Sequence, residues 1–357
     1  MPALANSRKI SEPDIVKYRG KLLSWYDSHA RDVPWRSKVG NLPDPYHVWL
    51  SEIMCQQTTV SAVKAYYKKF LILWPSVYEL AAAQQDDVMA AWAGLGYYAR
   101  ARNLHKCAQI VAGQLNGVFP STPEGLKKLP GIGDYTSAAI AAIAFNKPAT
   151  VVDGNVERVM ARFFAVREPL PRAKKQLKSL AHRFFDGFAE RPGDLAQSFM
   201  DLGADICIPK APRCSACPLM HACKAYQQGI AARLPDKNKT NMRPQKHGHV
   251  YWITNSKGEV LFHKRAEKGL LGGMLGLPTS NWVNDKGKLT HLKYLRRLQP
   301  LNVKIHHTFS HFDLELELYI ARLSKGKVLE SVVWGRPEHH GPKLPTVFKK
   351  AYKVFCD

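Results

Sequence analysis

The sequence predicts a mainly α N-terminal domain followed by a small α+β domain, and three observations lead there. Apolar residues keep helical spacing early on, as in Ile15, Tyr18, Leu22 and Trp25, and Ala-rich stretches such as Ala138 to Ala144 recur between Pro and Gly breaks up to about residue 230. Residues 231–246, rich in proline, lysine and asparagine, read as a linker. Beyond them the pattern turns to strands: His249-Val250-Tyr251-Trp252-Ile253, Val260-Leu261-Phe262 and Leu314-Glu315-Leu316-Glu317-Leu318-Tyr319. The expected organisation is therefore a helical region 1–230, a linker 231–246 and a strand-containing domain 247–357.

With 357 residues and 45% hydrophobic content, the chain is long enough for two or three domains with a real core. Its formal net charge is +23, with 29 Lys and Arg against 19 Asp and Glu through residue 230 and 23 against 10 after it. Both parts thus have the charge to meet a polyanion. The longest apolar run, Ala138 to Phe145, falls well short of the ~18 residues a membrane span needs, so a soluble protein with no membrane partner is expected. Met1 to Ile10 shows no apolar signal region, which points to the cytoplasm, where seven cysteines are not a disulfide framework.

Taken in chain order, the first chemical candidate is Glu52. It lies between Trp49/Leu50 and Ile53/Met54 on an apolar helix, surroundings that raise a carboxyl pKa; on its own residues alone, the solvated helix charge is the stronger reading. Residues 126–142 form two short helical patterns joined by Leu129-Pro130-Gly131-Ile132-Gly133-Asp134-Tyr135-Thr136. Gly131 and Gly133 stand where a tight hairpin needs positive φ and unobstructed amides that can face a phosphate, although an ordinary αα turn has the same look. Asp153, in Val151-Val152-Asp153-Gly154-Asn155, sits where a helix N-cap also would. Cys207, Cys214, Cys217 and Cys223 follow as C-x6-C-x2-C-x5-C, a metal loop over 207–223, whereas Cys55, Cys107 and Cys356 are scattered and read as packing. Four thiolates suit tetrahedral zinc or an iron-sulfur cluster. Only one short knuckle is present, and three unequal gaps favour one 4Fe-4S cluster that locks a loop.

Hairpin, aspartate and four-cysteine loop, in this order, resemble the helix-hairpin-helix DNA glycosylases of the endonuclease III superfamily over residues 15 to 225. Within it, Ser51-Glu52-Ile53-Met54-Cys55-Gln56-Gln57-Thr58 and the stretch Gly94-Leu95-Gly96-Tyr97-Tyr98 through Leu104 resemble the adenine glycosylase branch, the MutY type. The resemblance implies a base-excision enzyme that flips adenine out of duplex DNA containing A:8-oxoguanine or A:G and hydrolyses its glycosidic bond. Glu52 would protonate the base and Asp153 would stabilise the sugar cation, with Tyr135 and Asn155 beside it. Tyr135 occupies the position of the hairpin lysine nucleophile of lyase-competent relatives, which implies a monofunctional enzyme. Arg31, Trp35, Arg36 and Gln197 match the adenine pocket, where Arg31 or Arg36 would supply hydrogen bonds. Gln57, Thr58, Leu95, Tyr97, Gly131 and Gly133 match DNA-contacting positions, Gln57 and Tyr97 being the intercalating ones. Glu157 stands where some members have lysine, so a phosphate contact is missing there.

Residues from about His247 onward resemble the family's Nudix-like recognition domain, in which Phe309, Ser310 and His311 match the 8-oxoguanine loop. No Nudix box with its metal-binding glutamates is present, which disfavours a nucleotide hydrolase. A bifunctional endonuclease III-like enzyme for oxidised pyrimidines is disfavoured by Tyr135 and by the second domain, and a silent DNA-binding protein by the two carboxylates. One catalytic and one recognition domain in a single chain make a monomer sufficient.

Overall fold

The computed structural model describes residues 12–37, 41–236, 243–266, 269–323 and 331–357. The Met1 to Ile10 segment lies outside them, as does part of the expected linker. Helices run in the order α1 (Glu12–His29), α2 (Pro45–Cys55), α3 (Val60–Leu73), α4 (Val77–Ala82), α5 (Gln85–Trp92), α6 (Ala99–Gln114), α7 (Pro123–Leu126), α8 (Asp134–Phe145), α9 (Gly154–Phe163), α10 (Lys174–Phe185), α11 (Pro192–Asp201) and α12 (Lys224–Gln227). Strands β1 (Gln245–Ile253), β2 (Val260–Lys264), β3 (Leu275–Gly276), β4 (Leu295–Thr308), β5 (Asp313–Leu323) and β6 (Val332–Gly335) come next, then α13 (Pro337–His340) and α14 (Thr346–Cys356). No described helix is long and apolar enough to cross a membrane.

The chain divides into two compact units, one of residues up to Ala83 plus Asn103–Thr240, the other of Gln84–Arg102 plus Asn241–Asp357. The stretch 84–102 therefore groups with the C-terminal residues rather than with the helical region in which the sequence alone placed it.

In the first unit α8 is the axis. Its residues Thr136 through Ala144 are all buried, and the small alanine side chains let α2 and α11 pack closely on it. At Gly193 a Cβ would stand 2.8 Å from the Ala142 carbonyl oxygen, so that approach requires glycine. Asp44 caps α2 by accepting the Tyr46 amide at 2.7 Å, with Pro45 at the first helical position. Asp153 caps α9. After α11 the chain continues as one wide π-turn, Leu202–Ile206, before reaching Cys207. The four-cysteine loop then leads into α12 and a short helical turn, Ala231–Arg233. Ala231 and Leu234 are buried against Ala225, Cys214 and Cys223, so the expected linker begins later than 231; it also ends earlier than 246, since β1 starts at Gln245. Two apolar residues among lysines and prolines were enough to seat this segment.

The second unit holds two three-stranded sheets. In one, β1 runs parallel to β5 and β4 antiparallel to it, in the order β1-β5-β4; in the other the order is β3-β2-β6, all antiparallel. Val250, Phe262, Leu314, Leu316 and Leu318 form a core with Val347 and Phe348 of α14. The alternation expected along β5 breaks at Glu315. It is buried together with its leucine neighbours because Lys286 reaches it at 2.6 Å and His247 at 3.3 Å.

Candidate active site

Glu52, Tyr135, Asp153 and Asn155 line one cavity of about 980 Å³ in the first unit, together with Arg31, Trp35, Arg36, Gln57, Thr58 and Gln197. Three elements deliver three of these side chains: α2 carries Glu52, the first turn of α8 carries Tyr135, and the cap of α9 is Asp153. Glu52 meets the cavity with one edge while buried Trp49, Ile53 and Met54 flank it on its own helix. Burial pushes its carboxyl up to about 7, the Asp153 charge adds to the rise, and the Tyr135 hydrogen bond and Arg36 oppose it. The Tyr135 hydroxyl donates to Glu52 Oε2 at 2.9 Å. Burial, with Glu52 and Asp153 nearby, raises the tyrosine well above its usual range, so it stays a donor. Tyr135 thus serves Glu52 directly, whereas the sequence grouped it with Asp153.

Asp153 works in two capacities. Its Oδ1 accepts the backbone amides of Asn155 and Val156 at 2.9 and 2.8 Å, the N-cap role, and its Oδ2 accepts the Asn155 side-chain amide at 2.8 Å. The chain of contacts continues outward. Asn155 Oδ1 accepts from Arg158 Nη2 at 2.8 Å, and Arg158 also donates to the carbonyls of Gly203 at 2.6 Å and Cys207 at 2.7 Å. Gly203 packs so closely on Asn155 that a Cβ would come 2.5 Å from the asparagine Cβ. Glu157 pairs with Lys174 at 3.5 Å, both on the cavity wall.

The adenine-pocket candidates differ in fate. Trp35 is half-buried on the wall, its ring edge-on to Tyr67 with centroids 5.3 Å apart. Arg31 and Arg36, expected to donate to a base, are largely committed to Asp201, a residue the sequence reading missed. Its signal was the one that marked Glu52, an acid within an apolar helical stretch, here Leu195 to Leu202. Cys55, read as packing, lines the cavity as well, whereas Cys107 is buried and Cys356 exposed.

Among the DNA-contacting candidates, Gln57 and Tyr97 both hold left-handed backbone, with φ of 56° and 48°. Such a conformation is costly for a residue with a Cβ and concentrates at functional positions. Leu95 is buried instead of presented. Gly131 has φ of 80°, and a Cβ there would meet Asn103 at 2.9 Å; Gly133 has φ of −100° and open space around it, so of the two only Gly131 needs glycine for its conformation. Both remain exposed at the hairpin. In the second unit the Tyr97 hydroxyl hydrogen-bonds Ser310 Oγ at 2.8 Å, and Arg102 donates to the Gly272 carbonyl. Ser310 and His311 are exposed, while Phe309 packs against Phe312 and Trp282 at centroid distances of 4.8 and 5.8 Å.

Cys207, Cys214, Cys217 and Cys223 line one small apolar pocket with Arg162, Ile206, Pro212 and Met220. Arg162, only 1% exposed, donates to Cys207 Sγ at 3.3 Å and to the carbonyls of Cys207, Ile208, Pro209 and Leu234 between 2.8 and 3.1 Å. It thereby ties the ends of the loop to α9. Burial pushes the thiols of Cys217 and Cys223 up to about 12 and about 11, so thiolates here require a neighbouring cation. Among the described residues no three His, Cys, Asp or Glu side chains converge closely enough to hold a single metal ion.

Comparison with known proteins adds the following. A family profile described as HhH-GPD superfamily base excision DNA repair protein matches residues 50–185, and one described as NUDIX domain matches residues 249–354. The chain is 32% identical to a Homo sapiens adenine DNA glycosylase over 96% of its own length and 74% of the relative's. It is 34% identical to the enzyme of that name from Buchnera aphidicola of Acyrthosiphon pisum, over 85% of both chains. Among solved structures, a thermostable thymine-DNA glycosylase aligns over 62% of this chain and all of its own, with a TM-score of 0.55 and 28% identity.

Proposed function

Since the chain belongs to the adenine DNA glycosylase family of the helix-hairpin-helix base excision repair proteins, we propose that it removes adenine lying opposite 8-oxoguanine or guanine in duplex DNA by monofunctional hydrolysis, with Glu52 as acid and Asp153 as the anion beside the sugar. It is a glycosylase, and excision of adenine from DNA is its class of reaction. The observation that carries the residue assignment is the pairing of two carboxylates in one cavity, one pushed toward neutrality by burial and the other engaged by the amides of its own helix.

An adenine drawn out of the stack, at a cost of about a few kcal/mol, enters the cavity against Trp35. Glu52 gives its proton to N7, the bond from N9 to C1′ breaks with its electron pair going to the base, and the sugar is left oxocarbenium-like. The Asp153 carboxylate stabilises that cation, held in place by Asn155. Water then adds at C1′ and its proton returns to Glu52. No amine of the chain enters these steps, in keeping with Tyr135 at the hairpin.

The exposed Ser310 and His311, with Phe309 anchored beneath them, form the reader of 8-oxoguanine, and the bond between the Tyr97 and Ser310 hydroxyls supports this by joining that loop to a segment that resembles a DNA-contacting one. The decisive measurement offers duplexes bearing A opposite 8-oxoguanine, A opposite G and thymine glycol. Adenine release from the first two should give strands that break only after alkali. A Ser310→Ala, His311→Ala double variant should lower the preference for A:8-oxoguanine over A:G at fixed ionic strength. Thymine glycol excision, or strand breakage without alkali at the rate of base release, would overturn the reading; an unchanged ratio in the double variant would relocate the lesion contact.

Four cysteines around one pocket, spaced with a single short knuckle and three unequal gaps, fit a polynuclear 4Fe-4S centre better than zinc. Cys207, Cys214, Cys217 and Cys223 would hold it, and it would supply loop rigidity. Protein purified anaerobically should absorb near ~400 nm and contain iron and sulfide, and Cys214→Ser should lose both together with DNA affinity. Zinc without iron would end the assignment. With duplex DNA as partner, the protein works as a monomer in the cytoplasm or at the nucleoid.

A further inference from the structure

Asp201 closes α11 with no side-chain exposure, a position where a carboxylate is costly unless its charge is met. It is met twice, from a segment about 170 residues away in sequence. Asp201 accepts the Arg31 backbone amide at 3.0 Å, Arg31 Nε at 2.5 Å, and Arg36 Nη1 and Nη2 at 2.5 and 2.7 Å. Four charge-assisted or backbone donors on two oxygens leave the carboxylate no spare acceptor. Both arginines line the cavity that holds Glu52, and Arg36 acts on Glu52 electrostatically. A guanidinium with no counter-charge in such a place favours the ionised acid.

We propose that Asp201 is a positioning residue for the glycosylase reaction: by clamping Arg31 and Arg36 to one carboxylate it fixes the polar wall of the adenine pocket and holds in check the Arg36 charge, which acts against the protonated form of Glu52. The inference rests on Glu52 being the acid. Other groups around Glu52 do not replace this contribution. From α8 comes the Tyr135 hydroxyl, already donating to it; from the cap of α9 comes Asp153, whose charge favours the protonated acid. On α2 itself Cys55 lines the cavity, and the start of α3 brings uncharged Val60 and Ser61 there. Gln197 and Met200 of α11 are neutral, Asp205 stands 4.0 Å from Arg31 Nε, and Glu157 and Lys174 pair with each other.

The test is single-turnover adenine release by the full chain, followed from about pH 5.5 to about pH 9 on one duplex. The native rate should fall as pH rises through about 7, where the Glu52 acid loses its proton. Asp201→Asn keeps the shape and removes the charge. Its fall should move by about one pH unit toward acid, giving about tenfold slower release at pH ~8 and recovery of most of the rate near pH ~5.5. Asp201→Glu should keep the native position of the fall. Arg36→Gln removes the cation and should move the fall toward alkali, which keeps the proposal testable even if Asp201→Asn does not fold. Loss of rate at every pH with no movement of the fall, in Asp201→Asn and Arg36→Gln alike, would leave Asp201 as a structural ion-pair partner and overturn the inference. A native rate with no fall near 7, or an active Glu52→Gln, overturns the acid reading instead.

Discussion

Glu52→Gln is expected to slow single-turnover adenine release by on the order of 10³-fold while leaving affinity for the lesion duplex near native. Glutamine preserves the volume between Trp49 and Ile53 and can still accept the Tyr135 hydroxyl through its carbonyl oxygen, so packing and pocket shape survive. What disappears is the proton. Departure of adenine without it places the developing negative charge on a poor leaving group. Rate and affinity should be measured on the same preparation. A variant that releases adenine within about tenfold of native would place the acid elsewhere.

Asp153→Asn should be slower than native by about 10²- to 10³-fold, and for a different reason. Asparagine is as good an N-cap as aspartate, so α9 keeps its amide acceptor at Asn155 and Val156 and thermal stability should change little. The variant isolates charge from architecture, because the lost interaction is the one with a cationic sugar in the transition state. Loss should appear in the chemical step with substrate binding nearly unchanged. Near-native cleavage by a well-folded Asp153→Asn would reduce this residue to its capping role.

The outline of the fold was legible in the sequence because its signals are local. Apolar spacing marked the helices, the four cysteines marked their loop, and apolar or alternating runs marked β1, β2 and β5, although not β3, β4 or β6. The apolar setting of Glu52 was legible for the same reason, since its own helix supplies Trp49, Ile53 and Met54, whereas its role as acid came from the resemblance. Residues whose meaning depends on distant partners were not. Asp201 acquires its role from Arg31 and Arg36, Ser310 meets Tyr97 across 213 positions, and Glu315 is buried by Lys286 and His247 from other segments. Arg158 looked like one more surface charge on a basic chain, yet it bonds Asn155, Gly203 and Cys207 at once. Leu95 and Gly133 erred the other way, since matching a motif position says nothing about side-chain exposure or backbone torsion.

The wide turn Leu202–Ile206 works as a length gauge. It takes up five residues between Asp201, fastened to the arginines, and Cys207, fastened to Arg158 and Arg162. Both ends are pinned, and Gly203 is pressed against Asn155 in between, so the segment has no slack in which to hide a change in residue number. Removing one residue would rotate everything downstream by roughly 100° about the helix axis, enough to turn Cys207 away from its three partner thiols or to pull Arg158 off Asn155. Substitutions at Ala204 leave that count intact. At Ala204 the stretch is therefore freer in residue identity than in residue number, while Gly203 is fixed in both by its contact with Asn155; an ordinary surface loop, where insertions are absorbed cheaply, behaves in the opposite way.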